Sequence, residues 1–171
     1  MIFKITKKDK YTYFINPFFI SLIIAIIIIL ASNFFYTKSF FVDIDIFLIL
    51  MILPTLIIFI PLILFYFNYY KIDKNVTFKI NTDQTEFSYI NGNKTIEFKK
   101  EDVEKCILHL SIPVCHNRTI FAHWLVFSYA KIFTSRGNFV ITCLTCDNIE
   151  NYIPKEKIEK KCSHFSHAFP K

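Results

Sequence analysis

The chain is 171 residues long, 53% hydrophobic, and carries a net charge of +6 contributed mostly by lysine. That length suits one domain, or slightly more. The charge is too diffuse, lacking a dense basic stripe with interleaved aromatics, to point to a nucleic-acid partner. Two glycines are too few for the phosphate-cradling loops of nucleotide enzymes.

Residues 1–16 read as a basic tail carrying Lys4, Lys7, Lys8 and Lys10. No charged residue occurs from Tyr11 to Thr37, nor from Ile46 to Tyr70. A helix needs about 20 apolar residues to cross the roughly 30 Å hydrocarbon layer, and residues 17–36 and 46–67 each supply such a run. Residues 17–70 are therefore predicted to form a two-helix transmembrane hairpin. A cleaved signal peptide fits less well, because no small-x-small cleavage site follows the first run. Lysines flank the pair on both outer sides, with Lys71, Lys74 and Lys79 after the second run, whereas the connection holds only Lys38 with Asp43 and Asp45. The positive-inside rule then predicts a multi-pass protein of the inner (plasma) membrane with both termini cytoplasmic. Five cysteines, an odd number, read as reduced thiols rather than a disulfide framework.

Residues 71–171 have an ordinary mixture of polar and apolar residues and read as one cytoplasmic, mainly β domain. Val76, Phe78 and Ile80 alternate with polar neighbours. Thr85 to Ile90 and Thr95 to Phe98 flank Asn91-Gly92-Asn93, a hairpin signal because Asn and Gly accept positive φ. Val103 to Ile112 reads as another strand, Ser111 to His123 as a long loop, and Trp124 to Phe133 with Phe139 to Leu144 as a second hairpin around Ser135-Arg136-Gly137-Asn138. About six antiparallel strands result. Asp147-Asn148-Ile149-Glu150 has the spacing of a capped helix N-terminus, and Pro154 cuts or restarts that helix.

The run through Asn91-Gly92-Asn93 into Ile96-Glu97-Phe98-Lys99-Lys100-Glu101-Asp102-Val103 resembles bacterial membrane-anchored pleckstrin-homology-like (PH-like) proteins, as does Asn138 to Thr142 leading into the Asp147 segment. Those proteins place a two-helix membrane hairpin before the PH-like domain. The resemblance implies an α+β chain in which a small antiparallel split barrel is capped by a C-terminal helix. It implies no catalytic residues and no cofactor.

The metal-ligand candidates are Cys143, Cys146, Cys162 and His164. A structural zinc site needs four converging ligands, while strand residues three apart point to opposite faces, so Cys143 and Cys146 converge only if the strand ends between them. The alternative for Cys143, and for Cys106, is packing as a small hydrophobe. Cys115-His116, or Cys143 with His123, could also be drawn together as a thiol centre. Lys71, Lys74 and Lys79 either set topology or bind lipid head groups, each contributing about 1 kcal/mol near an anionic surface. The function read from the sequence is a membrane-tethered, non-enzymatic module that docks a membrane or membrane-associated protein, or senses the bilayer. The rival readings are a metal- or thiol-dependent activity, or an accessory, immunity-like subunit of a membrane complex.

Overall fold

The computed structural model describes residues 1–6, 9, 11–17, 19, 20, 22, 23, 26, 27, 60–120 and 123–164. Its strands are β1 (Ile2–Phe3), β2 (Val76–Ile80), β3 (Glu86–Asn91), β4 (Lys94–Lys99), β5 (Val103–Ser111), β6 (Tyr129–Thr134), β7 (Gly137–Thr142) and β8 (Ile158–Ser163). They form two four-stranded sheets, ordered β1-β2-β3-β4 and β7-β6-β5-β8. Helix α1 covers residues 60–73, and α2 is the single turn Ile112–Cys115.

Period-two patterning builds the first sheet. Val76, Phe78 and Ile80 of β2, Phe87 and Tyr89 of β3, and Ile96 and Phe98 of β4 all point inward and are buried. Residues two apart on a strand share a face, so the register Ile80↔Phe87↔Phe98 places aromatic rings side by side. Phe78 stacks on Phe87 at 5.9 Å between centroids, and Phe87 on Phe98 at 5.2 Å. Phe139 of β7 closes the core from the opposite sheet, 4.4 Å from Tyr89 and 5.3 Å from Phe98.

The β3–β4 hairpin turns through Gly92 and Asn93, because Asn91 and Lys94 are already paired. Only Gly92 takes a positive φ, +58°. That is the pattern of a II′ turn, in which glycine is favoured at the first position. The expected Asn-Gly pair is thus displaced by one residue to Gly-Asn. Gly92→Ala meets no steric obstacle yet must hold a left-handed backbone, so thermal unfolding should show a loss of about 1–2 kcal/mol.

The sheets agree with a PH-like domain, but other expectations are corrected. No helix among the described residues is long and apolar enough to cross a membrane. Residues 18, 21, 24, 25 and 28–59, which make up most of each expected span, lie outside the described residues. The described part of helix α1, residues 60–73, spans about 21 Å at 1.5 Å per residue. It also ends inside the β domain: Leu62, Tyr66, Tyr69 and Asp73 fall on one buried face. Tyr69 meets Phe127 edge-on at 5.1 Å, within a second apolar cluster that includes Tyr13, Tyr129, Cys143 and Leu144. The other face of α1 exposes Ile60, Leu64 and Phe67. The transmembrane hairpin and the multi-pass plasma-membrane placement, with its cytoplasmic termini, are therefore overturned.

The closing C-terminal helix is also absent among the described residues. Ile149–Asn151 is a lone 3-10 turn whose flanking Asn148 makes no side-chain cap. The Asp147 carboxylate instead accepts the Tyr13 hydroxyl, so it is not free to start a helix. After a further 3-10 turn, Lys155–Lys157, the chain becomes β8 and runs parallel to β5. The sheet is mixed rather than wholly antiparallel.

Candidate functional site

The first candidate lies at one end of the first sheet. The Met1 ammonium donates to the Ile80 carbonyl, and the Ile80 amide returns a bond to the Met1 carbonyl at 2.9 Å. The same pairing sets Ile2 opposite Lys79. Lys79, Ser88 and Glu97 then form a row on the outward face, since Lys79 pairs with Ser88 and Ser88 with Glu97. On the opposite sheet's β6–β7 turn, Arg136 reaches Asp102 at 3.5 Å, and Asp102 also accepts the Lys99 amide at 2.8 Å. These elements enclose a cleft of about 460 Å³, with Ile2, Ile80, Phe87 and Phe98 among its apolar lining. Its rim carries both signs: Lys79, Lys99 and Arg136 against Glu86 and Glu97. A second cleft of about 590 Å³ shares Glu86 and Lys99 and continues past Lys100, Glu101 and Lys157.

Of the proposed head-group lysines, Lys79 lines the first cleft, whereas Lys71 and Lys74 line neither. All three are exposed.

The metal candidates do not converge. β7 ends at Thr142, and a turn follows in which the amides of Thr145 and Cys146 both donate to the Thr142 carbonyl at 3.1 Å. That turn sends Cys143 into the α1 cluster and Cys146 into the core between the sheets. Cys162 and His164 lie on and just beyond β8, exposed. Burial pushes the Cys106, Cys143 and Cys146 thiols up to about 12, so none is a thiolate nucleophile at neutral pH. His109 is occupied as a ring, stacked on Tyr129 at 4.3 Å. Burial, then the charges of Lys131 and Lys161, hold it below the usual histidine range.

Cys115 and Cys162 are joined in a disulfide, with their Cα atoms 6.0 Å apart. This corrects the reading of all five cysteines as reduced thiols. Nothing local in the sequence pairs two cysteines separated by 47 positions; the parallel register Leu110↔Cys162 and Ser111↔Ser163 brings β8 beside the start of α2.

The strand order agrees with a PH-like domain. No curated protein and no solved structure matches the chain. A family model described as PH domain matches residues 2–150, most of the sequence, and the chain belongs to the PH domain family.

Proposed function

We propose that this chain is a non-enzymatic binding module that docks a segment of a protein partner in the cleft bounded by Met1, Lys79, Glu97 and Arg136. The observation that carries the reading is the mixed-charge rim around the exposed Ile2 side chain. A phosphorylated head group would meet the Glu86 and Glu97 carboxylates among the cations Lys79, Lys99 and Arg136, and like-charge juxtaposition offsets part of that attraction. A peptide with an apolar side chain flanked by charges of both signs suits the same rim, with the apolar residue against the exposed Ile2 side chain. Family membership supports binding over catalysis without naming the ligand, since a fold does not carry its function with it.

The test is selection from a displayed peptide library on the purified chain, repeated with a Glu97→Lys/Lys99→Glu double variant. Peptides selected on the wild type should bind the variant about tenfold more weakly, a change of about 1.4 kcal/mol. Vesicles containing phosphorylated inositol lipids should retain no more chain than neutral vesicles. Unchanged peptide binding, or retention specific to the phosphorylated lipid, would overturn the proposal.

A further inference from the structure

The disulfide pair has a third group beside it. The Sγ atoms of Cys115 and Cys162 and a ring nitrogen of His116 all lie within 4.8 Å of one another. Cys115 ends α2, and His116 follows with its amide bonded to the Ile112 carbonyl at 3.1 Å, so the turn fixes two donors in succession. β8 delivers the third through six consecutive register pairs with β5. Three donors, two from the end of α2 and one from β8, make a half-cage. Cys162 and His116 are exposed and Cys115 is half-buried, which leaves an approach from solvent.

We infer that the reduced Cys115–His116–Cys162 cluster is a binding site for zinc or a similar thiophilic divalent cation, and that the disulfide is its closed form. Two thiolates and an imidazole match the ligand preference of this cation, with bond lengths of about 2.3 Å to sulfur and 2.0–2.1 Å to nitrogen. Tetrahedral geometry at those lengths sets the donors about 3.5–3.8 Å apart. That lies inside the observed spread once the sulfurs are released. The fourth position is left to water, as in open zinc sites. His164 is not among the converging donors.

Opening requires a reductant. A water-soluble phosphine attacks one sulfur, the S–S bond breaks, and water supplies the oxygen of the phosphine oxide and the two protons of the thiols. Metal binding then releases those two protons as both sulfurs become thiolates.

Cobalt(II) is the probe, because its thiolate complexes absorb through sulfur-to-metal charge transfer. Under anaerobic conditions the full chain, reduced with a phosphine, should bind about one equivalent of Co²⁺ with that absorption, and Zn²⁺ should displace it. The oxidised chain should give no such band. Cys115→Ser and Cys162→Ser should each lose the band and weaken binding at least about 100-fold, more than outer-sphere changes typically do. His116→Ala leaves the disulfide intact and so guards against misfolding; after reduction it should bind at least about tenfold more weakly with an unchanged far-ultraviolet spectrum. A band that survives in the Cys115→Ser/Cys162→Ser double variant would place the metal elsewhere and overturn the assignment. So would a folded, reduced wild type that gives no band, or a His116→Ala affinity equal to wild type.

Discussion

Replacing Phe78 with alanine should cost about 3–5 kcal/mol, read as a lowered urea midpoint at unchanged slope. Its side chain is fully buried and begins the ring row that runs through Phe87 to Phe98. Phe3 of β1 also approaches it, at 6.3 Å. Truncation therefore removes apolar contact with two rings on the two flanking strands, Phe3 and Phe87, and leaves a void that the hydrogen-bonded sheet cannot collapse to fill. A domain of this size is stable by about 5–15 kcal/mol, so the loss is a large share of the total. The neighbouring Lys79→Ala, on the outward face of the same strand, should change stability by less than about 0.5 kcal/mol. Equal effects at the two positions would mean that the strand's inward and outward faces have been misassigned.

Asp73 should make the fold more stable as pH falls from about 7 toward 4. Its carboxyl is fully buried at the end of α1, where Oδ2 accepts the Thr142 hydroxyl at 2.6 Å and the Thr142 amide at 3.2 Å. Burial nevertheless raises its pKa from 3.8 to about 6, against the pull of those bonds. Thr145 faces the same carboxyl, yet Asp73 Oδ1 and Thr145 Oγ1 have no hydrogen-bond partner among the described residues. A proton on Oδ1 gives that oxygen a hydrogen to donate to the threonine. Because the folded pKa is raised, the native chain holds more protons than the unfolded one between about 4 and 6. The ionisation penalty is complete above pH 6 and is relieved on acidification. A shift of about two units corresponds to about 3 kcal/mol. Asp73→Asn keeps an acceptor for Thr142 and supplies an amide donor, so it should raise the pH 7 unfolding midpoint and flatten its pH dependence in this window. A variant whose midpoint follows the wild-type profile across pH 4–7 would show that Asp73 is not the titrating group.

Three of the six central strands were legible because they alternate: Val76 to Ile80, Glu86 to Ile90 and Lys94 to Lys99 each place apolar residues on one face, while β5, β6 and β7 were legible from runs of apolar and aromatic residues between turn signals. β8 was not legible. Ile158 to Ser163 is nearly all exposed, with Lys160 and Lys161 in succession, a composition that reads equally well as a helix continuation. Its strand state comes from pairing with β5, a tertiary effect that outweighs weak local preference. The capping pattern at Asp147 failed for a similar reason, since its carboxylate is taken by Tyr13, 134 positions away. Trp124 to Val126 read as strand but form a 3-10 turn, tied down where the Ser111 hydroxyl donates to the Leu125 carbonyl. At the cleft, Lys79, Glu86 and Glu97 were legible as outward-facing residues. The cleft itself depends on the return of the N-terminus to Ile80, which no local pattern encodes.

Each sheet is finished by a strand from far away in the chain. β1 meets β2 across 79 positions at the Met1–Ile80 contact, and β8 pairs with β5 from Cys106↔Ile158 onward. Closing such loops costs chain entropy before any pairing repays it, whereas the β2–β3–β4 and β6–β7 hairpins close locally. The order of assembly follows: the hairpins form early and the two outer strands dock last. Run in reverse, β1 is the first to detach, since the Cys115–Cys162 bond tethers β8 beside the end of β5, so amide protons of β1 should exchange with solvent well before those of β3 and β6.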